Sequence, residues 1–230
     1  MPSRNTVKQY VENGYYHLYN RGVDKRTIFQ DDQDYRVFLH LLKILLSSPS
    51  LEAKHPLTEV TGFNPVRLRL IQQTLHNKVE LLSYCLLPNH FHLLIKQITV
   101  DGMPILMKRL ITTYSMYFNN RYKRVGHLFQ GTYKAAYIGE DSYIMHVSRY
   151  IHLNPYELTG SNLVKVSEYP YSSYSYYLGK KKAKWVKPDF ILSYFKNHKY
   201  IGLQNFISYK SFVEDSKVDS FEIIGELSIE

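Results

Sequence analysis

Two apolar runs joined by only two residues constrain the fold of this 230-residue chain more than any other feature. The first run extends from Val79 to Leu87 and the second from His90 to Ile98, with Pro88-Asn89 between them. Such a pattern is typical of neighbouring antiparallel strands joined by a tight connection. We therefore expect a β-hairpin, around which the other elements must build a sheet.

The segments on either side of the hairpin alternate between strand and helix patterns. Short aromatic runs bounded by turn residues indicate strands, and apolar residues three or four positions apart indicate helices. In chain order these patterns predict a strand at Gly14 to Asn20, a helix capped at Asp31 or Asp32 that ends at Leu46, a helix from Met103 to Tyr122, a strand with a bulge within Gly126 to Ile138, and a helix from Asp141 to Leu153.

The order β-α-β-β-α-β followed by a helix matches the split βαβ, or ferredoxin-like, arrangement. We therefore expect an α+β fold in which a four-stranded antiparallel sheet carries helices on one face. This architecture supports many unrelated functions, so it does not identify one.

The composition changes along the chain and suggests two parts. We predict a main domain at 1–160, with an insertion at about 49–77 that contains a possible short helix from Val66 to Leu75. We predict an accessory segment at 161–230, in which the Tyr-rich stretch Tyr169 to Tyr177 packs on the sheet more readily than it forms a stacking surface. The rest of this segment contains the basic run Lys180 to Lys184 and two short helical patterns near Asp189 to Asn197 and Ile201 to Asp215.

The charge and cysteine content exclude several classes of protein. With 29 Lys and Arg against 20 Asp and Glu, the net charge of +9 suggests a polyanionic partner, although many basic proteins bind no nucleic acid. The lone Cys85 excludes an intramolecular disulfide framework and a Cys-based zinc ribbon, and its apolar neighbours predict burial.

No apolar run approaches the roughly 18 to 20 residues of a membrane span, and a signal peptide is not recognisable. We predict a cytoplasmic protein without membrane association.

The motif His90-Phe91-His92 lies in the second strand of the hairpin. Alternation along a strand places His90 and His92 on one face and Phe91 on the other, and two imidazoles on one face can chelate a cation. The motif alone is weak evidence, because a chain with ten His contains such a pair by chance fairly often. Its apolar flanks strengthen it, since two buried imidazoles without partners would be costly.

The third predicted helix carries His146, Tyr150 and Asn154 at spacing i, i+4 and i+8, so the three share one stripe. A tyrosine nucleophile would need to lose a proton whose ordinary pKa is near 10, and it would need a cation beside the attacked phosphate. Two His and the amide oxygen of Asn154 could hold such a cation. These ligand types also permit zinc or manganese.

Short blocks rich in Tyr, His and Asn recur along the chain. In order they are Tyr16 to Gly22, Ile28-Phe29 with Asp34-Tyr35, Leu87 to Leu94, Tyr117 to Asn119, Gly126 to Gly131, Arg149 to Pro155 and Tyr169 to Tyr174. In content and order they resemble the single-tyrosine HUH transposases, specifically the REP-associated tyrosine transposases. The resemblance covers about residues 14 to 175.

The resemblance implies a metal-dependent endonuclease and strand transferase that acts on single-stranded DNA and recognises a hairpin beside the cleavage site. It implies Tyr150 as the nucleophile that forms a 5′-phosphotyrosine, His90 and His92 as the metal-binding pair, and Asn154 as the third ligand. The implied cofactor is Mg²⁺ or Mn²⁺. A homodimer and a bacterial, nucleoid-associated location are further implications. His146 has no role in this pattern, and we favour a place on the rim of the site over contact with a ligand.

Several basic residues are candidates for phosphate contacts, with Tyr or Phe side chains stacking on unpaired bases. They are Arg21, Lys108, Arg109, Arg121, Lys123, Arg124 and Lys134. For each of them a solvated basic face is an equal alternative. The rival function is a domesticated DNA- or RNA-binding protein that retains the fold without catalysis. An RNA-binding module of the same topology is weaker, because it leaves the His pair unexplained.

Overall fold

The computed structural model describes residues 5, 8–48, 74–156, 158, 163–196 and 206–215. The main elements are β1 (Gly14–Arg21), α1 (Asp32–Leu46), β2 (Val79–Leu87), β3 (His90–Gln97), α2 (Gly102–Arg121), β4 (Lys134–Ile138) and α3 (Asp141–Leu153). They are followed by the short helices α4 (Leu163–Glu168), α5 (Tyr174–Tyr177), α6 (Asp189–Lys196) and α7 (Tyr209–Glu214). Single 3-10 turns lie at Val23–Lys25 and Asn154–Tyr156.

The four strands form one antiparallel sheet in the order β2-β3-β1-β4. Leu87 pairs with His90 and closes the predicted hairpin, while Tyr19 of β1 lies opposite His92 of β3. This strand order and pairing confirm the ferredoxin-like fold.

Both faces of the sheet are covered by helices. α1 and α2 form the predicted layer on one face, where they pack against side chains such as Leu18, Phe91 and Leu93. α3 and the C-terminal helices cover the other face and pack against Leu82 and Leu94. Because successive strand residues point to opposite faces, this covering explains why both sets of positions are apolar.

The fourth strand is shorter than predicted, since residues 126–133 form a loop. Gly126 and Gly131 have φ of +87° and +70°, a left-handed conformation that ends an extended strand. Leu128 and Phe129 are buried from within this loop, where Phe129 forms an isolated bridge with Gly22. Their apolar character therefore reflects burial of the loop, which sequence periodicity cannot distinguish from a strand.

The C-terminal segment packs along β2, as predicted for its Tyr-rich stretch. The Leu86 amide donates to the Tyr171 carbonyl at 3.0 Å, and the Tyr169 hydroxyl donates to the Leu86 carbonyl at 2.7 Å. α6 and α7 fall within the two predicted helical patterns. Cys85 is buried, as expected. Most of the predicted insertion, including residues 66–73 of its possible helix, lies outside the described residues, and no described helix is long and apolar enough to cross a membrane.

Candidate active site

The predicted histidine pair lies on the face of the sheet that α3 covers. β3 places His90 and His92 on this face, and pairing with β1 brings His17 beside His92. The His17 Nε2 lies 2.9 Å from the His92 Nδ1, and both side chains are 0% exposed. The His90 and His92 rings are edge to face, with centroids 5.0 Å apart.

Burial keeps both histidines of the motif neutral at pH 7. It lowers the pKa of His90 to about 4, against a hydrogen bond with the Asn154 side chain that raises it, while the Arg21 charge lowers it further. Burial also lowers the pKa of His92 well below its usual value, with additional contributions from His90 and His17. Neutral imidazoles carry the lone pairs that a cation needs, so both rings are suited to ligation.

α3 brings the tyrosine of the motif against the histidines. The helix packs on the sheet through Ile144, Val147 and Ile151, and this places Tyr150 over the pair. The Tyr150 ring meets the His92 ring edge to face, with centroids 5.4 Å apart, and its side chain is 1% exposed. Ile144, Val147 and Ile151 are three or four residues apart and so share one face of the helix, and Tyr150 lies beside this face.

Asn154 connects the end of α3 to the histidines. Its Nδ2 donates to the Tyr150 carbonyl at 3.0 Å, and its side chain also hydrogen-bonds His90. The structure thus brings together His90, His92, Tyr150 and Asn154, which are the four residues proposed from the sequence.

The side chains of His90, His92 and Asn154 offer ligand atoms that fit a divalent cation. The His92 Nε2 is buried and has no hydrogen-bond partner among the described residues. In the described ranges, no group of three or more His, Cys, Asp or Glu is arranged to hold a metal. A cation here would therefore rely on two imidazoles and an amide oxygen. This mixed set suits Mn²⁺ or Zn²⁺ better than Mg²⁺, which prefers oxygen ligands.

Two of the basic residues proposed for DNA contact flank the site. Arg21 lies opposite His90 in the β1–β3 pairing, and its Nε donates to the Gln130 Oε1 at 2.5 Å. The Lys134 Nζ is 5.8 Å from the centroid of the Tyr19 ring, on the same face of the sheet.

The remaining candidates lie elsewhere. Lys108 and Arg109 are on α2, in the layer across the sheet from the histidines, and Lys123 is exposed just beyond the end of that helix. The Arg124 Nη1 donates to the Asn119 Oδ1 at 3.0 Å. Arg121 forms ion pairs with Asp31 at 2.6 Å and with the buried Asp34 at 2.8 Å, so acidic partners within the chain already balance its charge.

Two further histidines differ in their relation to the site. His146 contacts the Phe212 ring of α7, with centroids 5.4 Å apart, and so faces the C-terminal segment. His17 belongs to the site, although sequence reasoning gave it no role. Alternation along β1 indicates that His17, Tyr19 and Arg21 share one face of the sheet. The sequence does not show that β1 pairs with β3, and this pairing is what brings His17 beside His92.

Comparison with known proteins extends these observations. Residues 65–154 match the family model described as "Transposase IS200 like". Among solved structures, the chain is similar to one titled "Structure of the REP associates tyrosine transposase bound to a REP hairpin", with a TM-score of 0.50, 13% identity, and coverage of 79% of this chain and 95% of that chain. No curated protein sequence matches.

The two comparisons support different parts of the assignment. Because the sequence identity is only 13%, the structural similarity supports the fold alone. The family match covers β2 through α3 and includes His90, His92, Tyr150 and Asn154. The predicted resemblance to tyrosine transposases is therefore supported by the match of residues 65–154 to the IS200-like transposase model and by the similar fold.

Proposed function

We propose that this protein cleaves and rejoins single-stranded DNA through Tyr150, with a divalent cation held by His90, His92 and Asn154. The observation that carries the proposal is the contact of the Tyr150 ring with His92, whose Nε2 is buried without a hydrogen-bond partner among the described residues. A phenol beside a nitrogen that can bind a cation is an arrangement suited to nucleophilic attack on a phosphate.

The proposed cleavage step transfers a phosphoryl group to Tyr150. A bond forms between the Tyr150 Oη and the scissile phosphorus, and the bond from phosphorus to the 3′-oxygen breaks. The phenol loses its proton, and the departing 3′-oxygen takes one up to become a 3′-OH. A bound cation would supply stabilisation of negative charge on the phosphoryl oxygens.

The proposed joining step is the reverse reaction. Because the 5′-phosphotyrosine retains the energy of the original phosphodiester, a 3′-OH can attack it, restore a DNA strand and release Tyr150 without ATP. Since Tyr150 is 1% exposed, DNA must displace part of the surroundings before a phosphate reaches the hydroxyl.

The proposed substrate is a hairpin with a single-stranded flank. Support comes from the similar transposase, whose structure contains a REP hairpin. Arg21 and Lys134 lie on the face of the sheet that holds the histidines, where they could contact DNA phosphates. The homodimer and the nucleoid-associated location implied by the resemblance stay predictions.

A cleavage assay tests the proposed cation site. Oligonucleotides from the flanks of the gene are incubated with Mn²⁺ or Mg²⁺, and product strands are resolved on a gel. We expect His92→Gln to lose about 100-fold or more in rate, as does removal of other groups that stabilise transition-state charge. Chelator should abolish cleavage, whereas His127→Gln, a change at an exposed loop histidine, should cleave as the wild type does.

The same assay separates the rival function. A protein that binds the hairpin but produces no cleaved strand with either cation would favour the non-catalytic binder. Equal cleavage by His92→Gln and wild type would contradict the proposed role of the histidine pair.

A further inference from the structure

His17 is a buried imidazole that the proposed reaction leaves without a role. It lies two residues from Tyr19, the residue opposite His92, and at this diagonal distance long side chains on adjacent strands still meet. The planes of the His17 and His92 rings are nearly parallel, at 19°, and the ring centroids are 5.1 Å apart. Their facing nitrogens, His17 Nε2 and His92 Nδ1, are 2.9 Å apart, which is a hydrogen-bond distance.

One hydrogen must lie between these two nitrogens, because two lone pairs would not attract each other. If His17 supplied it, a neutral His92 would carry its own proton on Nε2, as a buried N–H without a partner among the described residues. If His92 supplies it from Nδ1, the Nε2 keeps its lone pair. A ring nitrogen binds a cation only through that lone pair.

We infer that His17 is a positioning residue that accepts the Nδ1–H hydrogen bond of His92 and thereby fixes the tautomer whose Nε2 can bind a cation. The inference rests on the proposed function. Ligating imidazoles usually donate their second N–H to a carboxylate, a carbonyl or water, and here the proposed acceptor is a second imidazole. The Nε2 of His17 is used in this bond, so that atom is not a ligand.

His17 also contacts the proposed nucleophile. Its ring meets the Tyr150 ring at 78°, with centroids 5.7 Å apart. A substitution must therefore separate loss of packing from loss of the acceptor. His17→Phe keeps an aromatic ring and removes the nitrogen, whereas His17→Gln removes the ring and keeps an oxygen that can accept.

The tautomer of His92 in the metal-free, full-length protein is the first test. Long-range ¹H–¹⁵N NMR distinguishes a protonated from an unprotonated ring nitrogen, and the His92→Gln spectrum identifies the signals of His92. We expect the proton on Nδ1 and a lone pair on Nε2. A proton on Nε2 of His92 in the wild type would overturn the inference, and this result requires no variant at His17 to fold.

Calorimetric titration with Mn²⁺ is the second test. We expect His17→Phe to bind Mn²⁺ about 10 to 100 times more weakly than the wild type, and His17→Gln to recover most of that loss. Circular dichroism and hairpin binding without metal verify that each variant is folded. Unchanged Mn²⁺ affinity in folded His17→Phe contradicts the inference. A wild type with the expected tautomer and no Mn²⁺ binding would instead refute the proposed cation site and leave the hydrogen bond of His17 established.

Discussion

At the scale of single residues, charge near the histidines and charge elsewhere on the surface should have different effects on DNA binding. Arg21 and Lys134 lie on the same face of the sheet as His92, whereas Lys108 is exposed on α2 in the opposite layer. Each phosphate contact releases counterions when DNA binds, so a residue that makes such a contact contributes to the salt dependence of affinity.

We predict that Arg21→Ala and Lys134→Ala each weaken binding of hairpin DNA and lower the slope of log affinity against log salt by about 1. Lys108→Ala is the matched control, and it should leave both quantities close to those of the wild type. Fluorescence anisotropy at several salt concentrations measures both. A larger effect from Lys108→Ala than from the other two would place the DNA on the α2 side.

Local patterns predict where the main residues of the candidate site lie, because their placement follows local geometry. Alternation places His90 and His92 on one face, and helical spacing places Tyr150 and Asn154 on one stripe. Long-range pairing is not visible in such patterns. The ion pairs of Arg121 with Asp31 and Asp34 join residues about 90 positions apart, so the sequence could not distinguish Arg121 from an open DNA contact.

At the scale of elements, α3 is attached to the C-terminal segment by a buried network of hydrogen bonds. The His152 Nδ1 lies 2.7 Å from the Tyr209 hydroxyl of α7, and its Nε2 lies 2.7 Å from the Ser173 Oγ. The Tyr209 hydroxyl is also 3.0 Å from the Ser148 Oγ. This network holds the helix that carries Tyr150, and therefore connects the C-terminal segment with the proposed nucleophile.

Burial lowers the pKa of His152 to about 3, below the ordinary value of about 6.5 expected in the unfolded chain. Well above pH 6.5 His152 is neutral in both states and contributes no pH dependence to the stability. Below pH 6.5 the unfolded state binds a proton that the folded state excludes. Stability therefore falls by up to about 1.4 kcal/mol per pH unit until the pH nears 3.

We predict that urea unfolding between pH 7.5 and pH 4 gives a shallower decline for His152→Gln than for the wild type. The buried His90 and His92 remain in this variant and contribute in the same direction, so some decline should persist. Identical slopes in the two proteins would mean that His152 titrates normally.

The sequence predicts the boundary of an element well where the apolar periodicity begins beside a capping residue. The α1 helix begins as predicted because the Asp31 carboxylate accepts the amide of Asp34 at 3.2 Å. The predicted start of β4 was wrong because Leu128 and Phe129 are buried within a loop that precedes the strand. An apolar residue indicates burial, but it does not indicate whether the buried backbone is a strand or a loop.

At the scale of the whole molecule, the C-terminal segment contributes to the core that contains Tyr150. Among the described residues, the buried cluster on this face takes seven side chains from the segment: Tyr174, Tyr177, Ile191, Phe195, Tyr209, Phe212 and Val213. At about 1.5–3 kcal/mol for each large apolar side chain, their burial is comparable with the whole stability of an ordinary domain, about 5–15 kcal/mol.

We predict that a chain ending at residue 160 is insoluble or lacks a cooperative thermal transition, because Leu82, Cys85 and Leu94 would lose part of their cover. Expression of residues 1–160 beside the full chain, followed by calorimetry, checks this. A soluble fragment that melts at the temperature of the full chain would instead support the predicted division at 160.

The central claim is that Tyr150 becomes covalently attached to DNA. The wild type, Tyr150→Phe and Tyr143→Phe are incubated with single-stranded DNA from the flanks of the gene and Mn²⁺, and adducts are resolved on a denaturing gel. Tyr143 lies on the same helix and is 37% exposed, so it is the matched control. The account predicts an adduct for wild type and Tyr143→Phe that is absent with chelator and in Tyr150→Phe. An adduct that persists in Tyr150→Phe would contradict it.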